Sequence, residues 1–455
     1  MDDFAGAFGD KRRSCAVSRL YGSIVEQSSV VIRKLGVDRA GELAAHRVLS
    51  SSHVTPEVTL RCLSQRTTAA AAGRRVVAAQ DTTEVNFSGR QSRGLGPAGN
   101  RNAHLANPAP GFLIHAMIAV DADCDAVLGL VGAEIWTRED APVSPRRDRA
   151  LADKESQRWL NAAETAAERL AHAAQCIVVG DRESDIYALF SRRPASVHLL
   201  VRAGQNRALD DGTRLFEATA DWPVLGTQTV NVAPRGPGER GRQAQVLLRA
   251  GTVTLRHPRN ARCDGDAQSI EITLVEAIED SPPAGQTALH WRLLTSLAAQ
   301  TEAEACEIVR LYRLRWRIEQ TFRMLKSDGL RIEETQTGEP HRLFNLAALA
   351  TAAAVRIIQL VDARDGSSRP ASDVATEAQT AAAEVLGPTL EGKTARQRNP
   401  HKAGSLAWIS WIVARLGGWN CYYKPPGPKT MRDGWQRFIA IAEGFTLANV
   451  GQRNV

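Results

Sequence analysis

The order of apolar segments between residues 75 and 181 constrains the fold of this chain more than any other feature. Three segments rich in strand-forming residues come first, a helical segment at Asp153 to Ala174 follows, and a fourth apolar strand comes last. Their sequences are RVVAAQD, FLIHAMIAV, AVLGLVGAEIW and CIVVGD. Strands interleaved with a helix of this length favour an α/β sheet over a helical bundle or a β-sandwich.

The segments on either side divide the chain further. Short helices are predicted at Ser23–Leu35, Asp38–Ser50 and Pro56–Ala71, followed by the strands. A β-rich insertion is expected at about residues 205–287, after which HWRLLTS, a long helix from Glu302 to about Leu330 and a helix at Leu343–Val361 resume the main fold. The polar stretch Asp365–Asp373 reads as a linker. We therefore predict a helical domain at 1–70, an α/β domain at 71–362 and a helical domain at 374–455.

Several protein classes are excluded by composition. No uninterrupted apolar run reaches the roughly 18 residues of a membrane span, and the first residues lack the apolar core of a signal peptide, so we expect a cytoplasmic protein without a membrane partner. The 7 cysteines are scattered and form no CxxC pair, which argues against a zinc site or a disulfide framework.

Positive charge is concentrated at the two ends of the chain. Residues 1–75 carry 12 Lys/Arg against 7 Asp/Glu, and residues 391–455 carry 10 against 3, although the whole chain has a net charge of only +7. Basic ends around a mildly acidic centre suit a protein that binds nucleic acid phosphates at its ends and a metal ion between them. Ordinary solvated surface charge is the alternative.

Two aspartates stand where predicted strands meet polar sequence. Asp81 follows RVVAAQ and Asp181 follows CIVVG, and the two are 100 residues apart. Neighbouring strands would bring these carboxylates side by side. Taken singly, each aspartate could instead cap a turn or a helix N-terminus.

A third carboxylate lies among cations on the predicted long helix. On a wheel of 100° per residue, Arg315, Glu319, Arg323 and Lys326 share one narrow face with Tyr312. The neighbouring face is apolar, as expected for a helix packed on a core. Glu319 could help bind metal while Tyr312, Arg315 and Lys326 hold phosphates. The alternative is a surface helix with an ordinary Arg315–Glu319 ion pair.

These residues carry a family resemblance. The spacing Tyr312, Arg315, Glu319, Lys326 resembles the YREK signature of bacterial cut-and-paste DDE transposases, specifically insertion-sequence family four, of the composite-transposon type. Four other blocks occur in matching order: QDTT at Asp81, GDRESDI at Asp181, LVRAGQNR at Arg202, and KAGSLAWISWIVARLGGW near the C terminus. Arg323 replaces the family's usual second basic residue.

The resemblance implies a fold and a reaction. It implies an RNase H-like (retroviral integrase) catalytic core with a β insertion, between an N-terminal DNA-binding domain and a C-terminal dimerisation domain. Asp81, Asp181 and Glu319 would bind two Mg²⁺ ions, or Mn²⁺ as a substitute, for hydrolysis and transesterification of DNA. A freed 3′-hydroxyl would attack the opposite strand and form a hairpin. The partners would be the terminal inverted repeats, target DNA and a second copy of the chain in a synaptic complex associated with the nucleoid.

The same resemblance implies roles for further residues. Trp291 would receive a base swung out of the duplex, although a core tryptophan in a strand is the alternative. Arg202 and Arg207 would contact phosphates, although Arg202 could equally cap a strand end. Glu183 and Asp185 could support the metal ligands. The C-terminal apolar spacing suits either a dimer contact or a buried helical hairpin; it comprises Leu406, Ile409, Val413 and Leu416, with Trp408, Trp411, Trp419 and Trp435 nearby.

One departure keeps other functions open. Members of the family usually have another helix before the GDKRR block, whereas Gly9 and Asp10 come almost at once here, so the chain is expected to be shortened at its N terminus. A truncated, non-catalytic inhibitor or DNA-binding protein is therefore one alternative. A metal-dependent nuclease that cuts branched DNA without strand transfer is the other.

Overall fold

The structure is a computed structural model of mixed α/β type. It describes residues 4–36, 38–87, 94–98, 109–138, 154–232, 241–259, 265–327, 329–364, 366, 369–422 and 424–453. The helices are α1 Lys11–Gln27, α2 Ile32–Leu35, α3 Arg39–Ser50, α4 Pro56–Ala71, α5 Gln157–Arg169, α6 Tyr187–Ser191, α7 Glu302–Arg313, α8 Trp316–Leu325, α9 Pro340–Ala363, α10 Glu377–Leu390, α11 Leu406–Leu416 and α12 Pro428–Arg453. The strands are β1 Arg75–Asn86, β2 Gly111–Asp121, β3 Val127–Trp136, β4 Gln175–Gly180, β5 Val197–Arg202, β6 Gly226–Val232, β7 Arg242–Arg256, β8 Ser269–Glu279 and β9 His290–Thr295.

Backbone contacts divide the chain into two compact units. The first unit comprises Met1–Ala70, Thr82–Ala141 and Arg317–Val455, and the second comprises Ala71–Asp81 and Pro142–Trp316. Neither unit is continuous in sequence, because the chain leaves and re-enters both of them. The domain boundaries at 70, 362 and 374 follow sequence order alone and stay a prediction.

The core of the first unit is built around α9. This helix is buried along nearly its whole length and is rich in alanine, so neighbouring helices can approach it closely. By length and hydropathy α9 would be able to cross a membrane, but 89% of its apolar window is buried inside the protein. Burial against α1, α3, α11 and β3 accounts for its composition.

The apolar face of α11 also lies inside the first unit. Leu406, Ile409 and Val413 are buried, as are Trp408 and Trp411, and α11 contacts α9, α10 and α12. The buried-core alternative therefore explains this spacing. The dimer contact that the resemblance implies is left as a proposal.

The N-terminal helix differs from its prediction. The expected helix Ser23–Leu35 is wrong, because α1 begins at Lys11 and a separate short helix, α2, begins at Ile32. Asp10 caps α1 by accepting a hydrogen bond from the Arg12 backbone N–H at 2.7 Å, and Ser28 ends it in a left-handed conformation with φ 43°. Val17, Leu20 and Ile24 form the buried face of α1, and their helical spacing could have predicted this helix from the sequence.

The second unit contains a mixed sheet in the order β1-β4-β5-β9-β8-β7-β6. Strands β1, β4 and β5 are parallel, and the pairs from β5 onward are antiparallel. The segment predicted to be a β insertion contains β6, β7 and β8, which extend this sheet from β9. The parallel part is the one that places the two aspartates.

Strand β3 of the first unit contains a glycine that no other residue can replace without strain. The β2–β3 register shifts on both sides of Gly129, whose φ is +152°. A Cβ at this position would lie 2.2 Å from Oγ1 of Thr67, a buried residue of α4. Both backbone conformation and close approach therefore require glycine here.

We predict that Gly129→Ala lowers the free energy of unfolding by about 2 to 6 kcal/mol, because backbone strain and overpacking add. Urea unfolding of the full chain measures the effect. Gly22→Ala is the matched control in the same unit, since the nearest atom to its Cβ would be 3.9 Å away in the middle of α1. It should raise stability by about 0.5 to 1 kcal/mol. Equal midpoints for Gly129→Ala and the natural chain would contradict the argument.

Candidate active site

Parallel pairing places Asp81 and Asp181 side by side in the second unit. The register pairs Ala79 of β1 with Val179 of β4, and each aspartate follows its paired residue by two positions. Alternation along extended strands therefore directs both side chains to the same face, on neighbouring strands about 4.8 Å apart. This register favours the sequence expectation that the two carboxylates meet, and their meeting stays a prediction.

One detail of that expectation is wrong. Asp81 does not end its strand, because β1 continues to Asn86. The residues after it, TTEVN, include β-branched side chains that favour extended backbone, and the Thr82 hydroxyl lies 2.9 Å from His115 Nδ1 of β2. Asp81 thus lies within β1, just beyond the residues that pair with β4.

Asp181 caps a turn, which is the role that the sequence offered as an alternative to metal binding. Its Oδ1 accepts a hydrogen bond at 2.9 Å from the backbone N–H of Glu183, and Asp181 is the N-cap of the 3₁₀ turn Arg182–Ser184. Its backbone stays extended, with φ −85° and ψ −164°. Capping uses a single oxygen, so the same carboxylate can serve a second function.

Arg315 supplies the charge that opposes the acid pair. Its Nη1 donates to Asp81 Oδ2 at 2.9 Å, and both side chains are largely buried, at 15% and 17% exposure. A guanidinium at this distance offsets the negative charge of Asp81. Arg315 thus pairs with one of the two aspartates, and the alternative of an Arg315–Glu319 ion pair stays open.

Tyr312 lies at the centre of the same cluster. Its ring meets Trp291 edge to face at a centroid distance of 5.4 Å, and the Arg315 guanidinium lies 6.0 Å from the ring centre. Burial raises the pKa of Tyr312, and the charges of Arg315 and Arg202 oppose part of that rise. The phenol is therefore protonated at neutral pH and available as a hydrogen-bond donor.

Arg202 joins this cluster from the end of β5. Burial lowers the pKa of Arg202, Tyr312 opposes that shift, and the positive charges of Arg182 and Arg315 lower the pKa further. Its Nη2 also donates to the carbonyl of His290 at 3.2 Å. Arg202 thus lies beside Tyr312, and its contact with a phosphate stays a prediction. Arg182 also lies near Arg202 and was not among the predicted site residues. Its position directly after Asp181 could have identified it from the sequence.

Arg207 and Asp185 have a structural role. Arg207 is buried and donates to Asp185 Oδ1 from Nε at 2.9 Å and from Nη2 at 2.7 Å. The other oxygen of Asp185 accepts the backbone N–H groups of Gly204 and Gln205, both at 2.8 Å. This ion pair holds the loop that follows Arg202, so direct contact of Arg207 with phosphate remains only a prediction. Glu183 is exposed and pairs with Arg158 at 3.1 Å.

The remaining predicted residues belong to the first unit. Glu319 is half-buried in the first turn of α8, and Arg323 is exposed. Lys326 Nζ donates to the carbonyl of Glu84 at 2.6 Å and lies 3.1 Å from Glu333. Within the described ranges, no group of three or more His, Cys, Asp and Glu side chains could hold a metal ion. The three-carboxylate metal site therefore stays a prediction.

The single long helix expected from Glu302 to about Leu330 is wrong. The helix ends at Arg313 and restarts at Trp316, because Leu314 and Arg315 donate to Leu311 and Tyr312 in tight i to i−3 hydrogen bonds. A turn of this kind changes the rotation per residue. The 100° rotation per residue therefore does not hold from Tyr312 to Lys326, and these residues do not lie on one continuous helix face.

The Asp185–Arg207 pair gives a stability prediction. We expect Asp185→Ala to lower the free energy of unfolding by about 3 to 5 kcal/mol, because it leaves the Arg207 charge buried without a partner. Urea unfolding measures the loss. Asp210→Ala in the same unit is the control; its pair with Arg256 is 48% and 47% exposed, and it should cost under about 1 kcal/mol. Similar losses in the two variants would contradict the structural role.

A comparison with protein families bears on this geometry. Residues 153–356 match the family described as "Transposase DDE domain", a segment shorter than half of the 455-residue chain. It includes Asp181, Arg202, Trp291, Arg315 and Glu319, whereas Asp81 precedes it. The segment that carries most of the candidate site is similar to a transposase DDE domain, and this similarity supports a transposase function for the chain.

Proposed function

We propose that this chain is a DNA transposase of the insertion-sequence type, which excises and inserts DNA by breaking and joining phosphodiester bonds. The observation that carries the proposal is the parallel register of β1 and β4, whose last pair, Ala79 with Val179, lies two residues before Asp81 and Asp181. Arg315 pairs with Asp81, and Tyr312 interacts with Arg315, Arg202 and Asp181. Acid groups flanked by phosphate-binding cations are what metal-assisted phosphoryl transfer requires. The RNase H-like core and the YREK family assignment belong to this proposal.

The donor set fits a hard divalent cation. Asp81 and Asp181 offer carboxylate oxygens on one face, and oxygen ligands are those that Mg²⁺ and Mn²⁺ prefer. Asp81, Asp181 and, by its position in the motif, Glu319 would hold two ions. When bound, these ions supply charge stabilisation for the attacking and leaving oxygens of the reaction. Arg315 would exchange its contact with Asp81 for one with a DNA phosphate.

Tyr312, Arg315 and Arg202 would bind and orient the DNA strand at the acid pair. The raised pKa of Tyr312 keeps its hydroxyl protonated, so it donates a hydrogen bond to a phosphate oxygen and is a poor nucleophile. Strand cleavage would then proceed without a covalent tyrosine–DNA link. The guanidinium groups present paired N–H donors that match phosphate oxygens.

Trp291 would hold a base that leaves the duplex during hairpin formation. Its indole is half-buried and contacts Tyr312, which places an aromatic surface beside the phosphate-binding groups. Stacking on an aromatic side chain contributes about 1 to 3 kcal/mol per base and offsets part of the unstacking cost.

DNA and a second copy of the chain would be the partners. The basic excess of the first 75 and last 65 residues suits contacts with the phosphates of terminal repeats and of target DNA. Pairing of two chains in a synaptic complex would bring two transposon ends together. Action on chromosomal DNA would place the protein at the nucleoid.

The proposal predicts a strict requirement for Glu319. Glu319→Gln should lower Mg²⁺-dependent cleavage of DNA carrying the element's terminal repeats by more than about a hundredfold, which exceeds the usual effect of groups that only orient metal ligands. Glu377→Gln, an exposed change in the first turn of α10, is the control and should cleave normally. Transfer of a labelled 3′ end into a plasmid is the second readout.

Two outcomes would replace the proposal with another function. A natural chain that binds DNA but never cuts it with Mg²⁺ or Mn²⁺ would be a non-catalytic inhibitor or DNA-binding protein. A natural chain that cuts branched DNA without transferring a 3′ end would be a nuclease.

Trp291 provides a test of the hairpin step. We predict that Trp291→Ala slows hairpin formation by about 5- to 150-fold, the kinetic equivalent of 1 to 3 kcal/mol, while leaving the first nick intact. Trp291→Phe should retain most of the rate because it keeps an aromatic face. An abasic site at the displaced position should rescue Trp291→Ala, since no base must then be unstacked. Equal slowing of nick and hairpin would indicate a packing role instead.

A further inference from the structure

A small cationic cavity lies in the second unit beside the cluster around Tyr312. It has a volume of about 190 Å³ and is lined by Arg182, Arg202, Gly204, Phe216, His290 and Arg292. Among the described residues that line it, none is acidic. Three guanidinium groups at one cavity of this size indicate a site for an anion.

Strand β9 connects the cavity to the site already described. Successive side chains of a strand point to opposite faces, so His290 and Arg292 alternate with Trp291. Arg202 also links them, because it interacts with Tyr312, donates to the His290 carbonyl and lines the cavity. An anion in the cavity would therefore lie next to the residues proposed to bind the reacting strand.

Arg292 is the most constrained of these cations. Its guanidinium stacks 4.5 Å from the centre of the Phe216 ring and donates to the Phe216 carbonyl at 3.1 Å. Its Nε is buried and has no hydrogen-bond partner, although Glu276 Oε1 lies 3.6 Å away. Burial lowers the pKa of Arg292. A fixed guanidinium with an unused donor is prepared to bind an acceptor group.

The nearby carboxylate does not balance this charge. Glu276 is buried and is shared among His290 at 2.8 Å, Arg249 at 3.3 Å and Arg292 at 3.6 Å. Arg182 and Arg202 repel each other: burial lowers the pKa of Arg202, and the charge of Arg182 lowers it further. An added negative charge would relieve this repulsion.

We propose that this cavity binds a backbone phosphate of the DNA, next to the phosphodiester that reacts at Asp81 and Asp181. Its volume accommodates a phosphate with part of its sugar and is below the roughly 300 Å³ at which pockets for complete small ligands begin. The site would fix the register of the strand on the enzyme. The inference rests on the proposed function for the identity of the DNA as a substrate.

The test measures DNA binding without chemistry. Fluorescence anisotropy of a labelled duplex with the full chain, in EDTA and between about 50 and 200 mM salt, gives the slope of log affinity against log salt. Arg292→Gln should weaken binding and reduce that slope by about 0.9, the contribution of one phosphate contact. Arg292→Lys keeps the charge and should retain the slope.

Two further variants make the result specific. Arg193→Gln is the matched control, because Arg193 donates to the Val197 carbonyl at the opposite end of β5 from Arg202, and it should leave the slope unchanged. Arg182→Gln removes an exposed cation of the cavity and should reproduce the Arg292→Gln effect without disturbing packing. Wild-type slopes in both Arg182→Gln and Arg292→Gln would overturn the proposal.

Inorganic phosphate separates a DNA site from a site for a free anion. If phosphate protects the natural chain but not Arg292→Gln from thermal unfolding, and the DNA slopes are equal, the cavity binds small anions and the DNA assignment is wrong. Cleavage with Mg²⁺ is scored separately. If the salt slopes of Arg292→Gln and the natural chain differ but the natural chain never cuts DNA, the phosphate site is supported and the transposase proposal is refuted. If the natural chain cuts normally and the slopes are equal, the transposase proposal is supported and the phosphate site is refuted.

Discussion

Parallel pairing of β1 with β4 is the constraint on which the candidate site depends. It brings Asp81 and Asp181 to the same level and the same face although 100 residues separate them in sequence. Carboxylates on neighbouring strands repel each other, and Arg315 offsets the charge of Asp81 by pairing with it. Arg182 and Arg202 add positive charge beside the same cluster, as the proposed binding of DNA phosphates requires.

The ion pair that fixes the loop after β5 is separate from Arg202, which lines the cavity. Asp185 and Arg207 are buried, satisfy each other and fix the backbone of Gly204 and Gln205. Arg202, two residues before that loop, keeps its guanidinium at the edge of the site and of the adjoining cavity. The buried Asp185–Arg207 pair thus fixes the loop, while Arg202 stays available for the proposed phosphate contact.

Periodicity and strand propensity predicted most of the elements. The ends of α4, β2, β3 and β9 agree with prediction to within a residue, because strong apolar patterns end at polar or turn-forming residues. The predicted continuous helix across Leu314 was wrong because two i to i−3 hydrogen bonds end α7 there. No glycine or proline at this position indicates a break in the sequence. The phosphate role of Arg207 was predicted from the family resemblance, and sequence could not show that Asp185 lies beside it.

The sequence by itself determined the α/β character, an aspartate after each of two apolar strand segments, the motif around Glu319 and the similarity of residues 153–356 to a transposase DDE domain. Each of these depends on residue type and on spacing along the chain. Tertiary structure alone decided that Arg315 pairs with Asp81, that Asp185 binds Arg207, and that Arg182 and Arg292 line one cavity. Such pairings join residues far apart in sequence, and their energies depend on burial and distance, which only the folded chain sets.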